Sequence, residues 1–255
     1  MKEFLQRAYG LKAKEIVRLN AGNSSCNWRV TCEDGTELLL KRIAPGLRTR
    51  LERALAMLRT IDSPLVARPL ADGRIVEEAG ALYALASWLP CENRRPEELT
   101  AAEVRSLVRA CAELSRVLPA GLVHGDLNFT NVLFREGEVT GFVDFEMVHE
   151  GQPVEDLLRV FLHRAERLPC FACRRHARLR DNFALAVAEA GFDAATWLGA
   201  IDDYRLNKEA IRRRKARFAW VAELDVRLRA RTFARFAAVV RQRLGGRGGE
   251  GGRRS

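Results

Sequence analysis

The segment "LVHGDLNFTNVLFREGEVTGFVDFE", residues 122–146, gathers a histidine, two aspartates and two asparagines around two apolar runs. The runs, 132–134 and 139–143, are β-rich and joined by "REGE", which reads as an antiparallel hairpin. Asn131 enters the first strand and Asp144 leaves the second, so both stand at the open end and can face one point in space. A carboxylate and an amide oxygen presented together are hard ligands, suited to Mg²⁺ that is also held by phosphate oxygens. Asp126 lies upstream, in the loop that feeds the hairpin. It is placed near such a metal without having to ligate it, as a base acting on an attacking hydroxyl must be. "HGD" or "DFE" alone is an ordinary turn; the ordered set of Asp126, Asn131 and Asp144 with a hairpin between the last two is far more specific. Neither G-x-S-x-G nor a Walker A loop occurs, so a hydrolase is not supported.

These residues need elements to position them. With 255 residues and 47% hydrophobic content, the chain has material for a sizeable core. Three apolar runs, 16–19, 28–32 and 37–43, predict consecutive antiparallel strands separated by a Gly/Asn/Ser-rich loop and an "EDG" turn. Leu47, Leu51, Leu55 and Leu58 recur on one helical face, and "GRIVEEAGALYALASWL" returns to strands around an "EAGA" turn. From Pro96 the pattern is helical. Thr100 and Glu103 form a capping box ahead of the stripe Val104, Leu107, Val108, Cys111, Leu114 and Leu118. Further helices are expected over 153–167, with Glu155 and Asp156 in the first turn, over 174–190 before Gly191, and onward to 244. The expected fold is therefore α+β and two-lobed: an N-terminal antiparallel sheet lobe over 1–90, a mostly helical lobe over 91–244, and a flexible basic tail over 245–255. "SWLPCENRRP" would be the hinge.

Charge and cysteines narrow the setting. From Arg205 onward, 16 Lys or Arg face 4 Asp or Glu, an excess of 12 that leaves −2 for residues 1–204. Such a basic end suits an anionic membrane surface or glycolipid; nucleic acid is not the expected partner, and a solvated helix face is the plain alternative. No apolar run has signal-peptide or membrane-span length, so a cytoplasmic location is expected. Six cysteines in such a chain read as mostly reduced and buried. Cys170 and Cys173, flanked by His163 and His176, could form a zinc site or simply belong to a helical hairpin.

On "HGDLNFTN" and "VDFE" the chain resembles the aminoglycoside phosphotransferase and choline kinase group of protein-kinase-like enzymes. Gly125 and Glu146, where protein kinases carry Arg and Gly, point to the small-molecule side of that superfamily. The resemblance implies a protein-kinase-like fold with ATP and Mg²⁺ as cofactors, Asp126 as catalytic base, and Asn131 and Asp144 as metal ligands. It further implies that Lys41 of "LLLKRI" reaches the nucleotide phosphates, with Glu52 as its ion-pair partner and Arg42 as the competing residue on the other strand face. "NAGNSSCNW" is similar to the phosphate-covering loop, with Gly22, Ser24, Ser25 and Asn27 as contacts, although G-x-G-x-x-G is absent. Ser87 and Leu89 of "SWLP" would meet the adenine through their backbone, and Asp156 of "PVEDLLR" would brace the catalytic loop, unless it serves only as a helix N-terminal carboxylate.

The implied activity is transfer of the γ-phosphoryl group of ATP to a hydroxyl of a small molecule. Because the later helices are dominated by arginine, the favoured acceptor is a sugar, a phosphorylated sugar or a glycolipid head group. The alternatives are an aminoglycoside or amino-alcohol kinase and, in another class, a basic nucleic-acid- or membrane-surface-binding protein on a kinase-like scaffold.

Overall fold

Strand alternation gives the N-terminal sheet two faces with different tasks. In the computed structural model, which describes residues 1–19, 26–168, 173–215 and 219–245, a helix α1 (Lys2–Tyr9) precedes five antiparallel strands. These are β1 (Ala13–Leu19), β2 (Cys26–Cys32), β3 (Glu37–Ile43), β4 (Val76–Glu78) and β5 (Ala81–Ser87), arranged β1-β2-β3-β5-β4. The register Asn27 to Lys41 to Ala84, with Arg29 to Leu39 to Ala86, puts Asn27, Leu39 and Lys41 on one face. Val30, Leu38, Leu40 and Leu85 take the other, where α1 buries Phe4, Leu5 and Ala8 against them. α1 ends at Gly10, whose positive φ of 71° lets its N–H return to the Gln6 carbonyl at 3.0 Å. This helix was not foreseen from the sequence. On the Lys41 face, α2 (Arg48–Leu58) packs Leu51 and Leu55 against Ile43, Leu82 and Ala84.

The chain beyond β5 is mainly helical: α3 (Ala101–Val117), α4 (Pro153–Arg167), α5 (Arg174–Glu189), α6 (Ala194–Lys215) and α7 (Ala219–Leu244). α3 opens with the expected capping box, Glu103 N–H donating to Thr100 Oγ1 at 3.3 Å and Thr100 N–H to Glu103 Oε2 at 2.7 Å. At the centre of the core the Phe183 ring meets those of Phe161, Trp197 and Phe236 at 5.5, 5.4 and 4.8 Å. Edge and tilted contacts of this kind add to the area buried.

Between α3 and α4 lie β6 (Leu122–Val123), the hairpin β7 (Val132–Arg135) and β8 (Glu138–Phe142), and β9 (His149–Glu150), which pairs with β6. Glu136 and Gly137 both have positive φ, 52° and 82°, the backbone that a two-residue hairpin turn requires. The hairpin is clasped on both edges. Phe134 and Glu92 exchange backbone bonds at 2.7 and 3.0 Å, and Phe142 N–H donates to Leu65 O at 2.7 Å.

The segment after β5 is anchored to the helices. Glu97, only 2% exposed, receives Arg164 Nε through both carboxylate oxygens at 3.0 and 2.9 Å. Asn182 Nδ2 donates to the carbonyls of Pro96 and Leu99 at 2.8 and 2.9 Å. Much of the basic C-terminal stretch is likewise engaged: Arg205 pairs with Glu209 at 3.0 Å, Arg212 with Asp225 at 3.0 Å, and Arg229 with Asp225 at 2.9 Å. Among the described residues no helix is long and apolar enough to cross a membrane. Residues 246–255 lie outside those described.

Candidate active site

The loop from His124 to Asn131 is held by its own polar groups. Asp156, in the first turn of α4, accepts the His124 N–H at 2.7 Å and the Gly125 N–H at 3.0 Å, the bracing role the sequence suggested. Fully buried His124 donates Nε2–H to Val143 O at 2.9 Å, accepts the Asp126 N–H on Nδ1 at 3.3 Å, and packs its ring on Phe145 at 4.5 Å. Gly125 is forced by geometry: its φ is +77°, and a Cβ there would lie 2.2 Å from Met147 O and 2.4 Å from His149 Nδ1. The arginine of protein kinases has no room at this position. Asn128 and Asn131 both donate side-chain N–H to Asp126 O, at 3.2 and 2.9 Å, so the main chain of Asp126 is fixed while its side chain stays 40% exposed.

Asn131 and Asp144 meet at the hairpin's open end, where Val143 N–H donates to Asn131 O at 3.1 Å. Asp144 has a left-handed backbone, φ 70° and ψ 57°, which an L-residue adopts at a cost and Asp more readily than most. With its Nδ2 engaged by Asp126 O, Asn131 keeps Oδ1 as an acceptor, approached by the Thr130 hydroxyl at 3.3 Å with a lone pair to spare. Together with the Asp144 carboxylate it could supply hard oxygen donors of the kind Mg²⁺ takes.

Lys41 Nζ donates to Asp144 Oδ1 at 2.5 Å and also to Glu146. Burial works to lower the Lys41 pKa, but the two carboxylates outweigh it and the net shift is upward. The expected Lys41–Glu52 pair is not the one formed. Leu51 and Leu55 turn the buried side of α2 toward the sheet, so the neighbouring Glu52 projects into solvent and pairs with Arg48 at 3.7 Å. Glu146 was singled out in the sequence as a family marker, with no partner assigned to it. Arg42 is exposed, as the other strand face dictates.

A cavity of about 460 Å³, within the usual range for small-molecule sites, is lined by Asn27, Ser87, Trp88, Leu89, Asn131 and Asp144 among others. It brings the expected adenine-contacting residues Ser87 and Leu89 onto the same walls as the expected metal ligands. The Ser87 N–H donates to Arg68 O at 2.8 Å and its hydroxyl oxygen accepts the Arg68 N–H at 2.9 Å, so the backbone N–H of Ser87 is already committed while its carbonyl and hydroxyl proton are not. Asn27, opposite Lys41 in the β2–β3 register, has a buried Oδ1 without a hydrogen-bond partner among the described residues, an acceptor suited to a ligand hydroxyl. Gly22, Ser24 and Ser25 lie outside the described residues.

Asp126 has a second set of neighbours that the sequence motifs did not reveal. Arg159 of α4 stands 3.8 Å from its Oδ1, with the guanidinium over the Tyr204 ring at 5.7 Å; Lys208 of α6 lies against the same ring at 5.1 Å. Burial raises the Asp126 pKa, as does Asp144, while Arg159, His124 and Lys208 pull it down; the net shift is upward. The helical spacing of Arg159, Tyr204 and Lys208 carried no signal, because their meeting depends on the packing of α4 against α6.

Among the described residues no three His, Cys, Asp or Glu side chains are placed together to hold a metal ion, so His163, Cys173 and His176 do not assemble a site by themselves; Cys170 lies outside the described residues. Cys26, Cys32, Cys91 and Cys111 are free thiols.

A sheet closing over helices, with a lysine of the sheet facing the polar residues of the loop and hairpin below, is the architecture of a kinase-like phosphotransferase. The chain belongs to the phosphotransferase enzyme family, whose profile matches residues 15–120 and 112–195. No curated protein sequence matches significantly. Among solved structures, the chain is similar to amicoumacin kinase hAmiN in complex with AMP-PNP, Ca²⁺ and Ami, with a TM-score of 0.57 and 14% identity over 94% of this chain and 92% of that one. It is also similar to a thermostable mutant of aminoglycoside phosphotransferase APH(4)-Ia in ternary complex with AMP-PNP and hygromycin B, with a TM-score of 0.56 and 15% identity over 98% and 99% of the two chains. At these identities the likeness establishes the fold.

Proposed function

We propose that this protein transfers the γ-phosphoryl group of ATP, with Mg²⁺, to a hydroxyl of a small molecule. The observation that carries the reading is the convergence of Asn131 and Asp144 on one cavity with Ser87 and Leu89, with Lys41 bonded to Asp144 and Asp126 upstream on the same braced loop. In this reading Ser87 and Leu89 hold the base, Asn27 a nucleotide hydroxyl, and Lys41 the phosphates. Asn131 and Asp144 would hold magnesium, which when bound neutralises charge on the transferring phosphoryl group. Asp126 orients the acceptor hydroxyl and accepts its proton. Its upward pKa shift favours that role, since a stronger base takes a proton more readily.

The acceptor we favour is a sugar, a phosphorylated sugar or a glycolipid head group, because Arg159 and Lys208 act on Asp126 against the neighbouring Asp144 carboxylate. Hygromycin B and amicoumacin ligands in structures of like fold support the second reading, an antibiotic or amino-alcohol acceptor. ADP release with Mg-ATP over a panel of sugars, sugar phosphates, amino alcohols and aminoglycosides separates the two. Asp126→Asn should cut turnover at least a hundredfold while Mg-AMP-PNP still binds; near-full turnover in that variant would remove Asp126 from the chemistry.

A further inference from the structure

Two cations converge on one aromatic ring beside Asp126, and the carboxylates around them are already shared. Arg159 touches the Asp126 carboxylate only at 3.8 Å, longer than a direct hydrogen bond. Lys208 reaches Glu166 at 3.7 Å, yet Glu166 is held more closely by Arg212 and accepts the Tyr204 hydroxyl at 3.0 Å. The side chains of Arg159 and Lys208 are 21% and 23% exposed, so both are largely withdrawn from water. Neither lines the cavity beneath Ser87 and Leu89. Like charges gathered in a partly desolvated place repel unless an anion joins them.

We infer that Arg159 and Lys208, flanking Tyr204, form an acceptor subsite for an anionic group, a phosphate monoester or a carboxylate, carried by the molecule whose hydroxyl meets Asp126. Arg159 offers a planar fork matched to either oxyanion, and Lys208 a point charge beside it. The Tyr204 ring supplies the apolar wall against which both cations rest. Burial lowers the Lys208 pKa, and the nearby Arg159 and Arg212 lower it further, outweighing the pull of Glu166 and Asp126. A polycationic acceptor would face repulsion here, whereas an anionic one is drawn in and oriented.

The inference rests on the phosphotransferase reading in taking Asp126 as the partner of the acceptor hydroxyl. Its test is calorimetric titration of the full chain, saturated with Mg-AMP-PNP, using glucose 6-phosphate, glucuronate and glucosamine as matched probes. The two anions should bind and glucosamine should not; a stronger response to glucose 6-phosphate than to glucuronate selects phosphate over carboxylate. Arg159→Gln and Lys208→Gln should each weaken anion binding at least tenfold while AMP-PNP affinity stays within twofold, which also certifies that the variants are folded. Glucosamine binding as tightly as the anions, no binding of either anion, or unchanged anion binding in both variants would overturn the proposal. If Mg-AMP-PNP fails to bind the wild-type chain, the nucleotide reading falls instead. The anion titrations, repeated without nucleotide in a Lys41→Met background, then still decide the subsite.

Discussion

Asp156 holds Gly125 by its backbone: Oδ1 accepts the Gly125 N–H at 3.0 Å while Oδ2 takes that of His124 at 2.7 Å. The loop that carries Asp126 is therefore positioned from α4, by a carboxylate only 5% exposed. Asp156→Ala leaves two buried donors unmatched and should cost about 3 kcal/mol, with Asp156→Asn costing roughly half because one acceptor survives. Urea unfolding measures both values, and an alanine variant as stable as the parent would show that the loop holds itself.

Lys41 is tied to the hairpin end, through Asp144 and Glu146, and Glu52 is tied to the surface through Arg48. Glu146→Gln should therefore lower kcat/KM for ATP about tenfold, equivalent to about 1.4 kcal/mol, and Glu52→Gln should change it less than twofold. The reverse order of effects would mean that nucleotide binding exchanges the partners of Lys41.

The Glu97–Arg164 pair fastens the segment after β5 to α4, with side chains 1% and 12% exposed. Glu97→Ala strands the guanidinium and should destabilise the protein by about 3–5 kcal/mol. Pairing it with Arg164→Met should recover part of that loss, so a double-mutant cycle in which the two costs simply add would deny the coupling.

His163 supplies the pH dependence. Burial, reinforced by Arg167, Lys208 and Arg159 and opposed by Glu166, depresses its pKa to about 4. An unfolded histidine titrates near 6.5, so between about 6.5 and 4 the unfolded chain binds a proton that the folded chain refuses. Stability contributed by this group is present above that window and declines as pH falls through it. From pH 7.5 to 5 the loss should be about 1 kcal/mol, after allowance for a ring that is partly solvated. His163→Gln should flatten this part of a stability-versus-pH curve; an identical slope in the variant would assign the dependence to other groups.

The hairpin and the strand position of Lys41 were legible because a two-residue period fixes which side chains share a face, and the register of Asn27, Lys41 and Ala84 follows it. α1 was not legible. Only Phe4, Leu5 and Ala8 of its eight residues are buried, and the partner that makes the helix worthwhile, the outer face of the sheet, is assembled from β2, β3 and β5. Glu52 was misread for a related reason: spacing put it on the correct helix, but ion-pair choice is set by how far the helix rotates its Leu51 side inward. Arg159, Tyr204 and Lys208 share no motif at all. Their association is a product of helix packing, which local pattern does not encode.

The clasp on the hairpin reaches beyond stability. Phe134 is bound through its backbone to Glu92 and Phe142 to Leu65, so the separation of Asn131 from Asp144 is fixed by main-chain pairing rather than by the side chains between them. Outward positions such as Arg135 and Glu138 are thereby released from the chemistry and open to evolutionary drift. A lineage can rewrite the surface of this hairpin extensively, provided the inward apolar residues and the turn glycine persist, and still inherit the same spacing between the two oxygen donors.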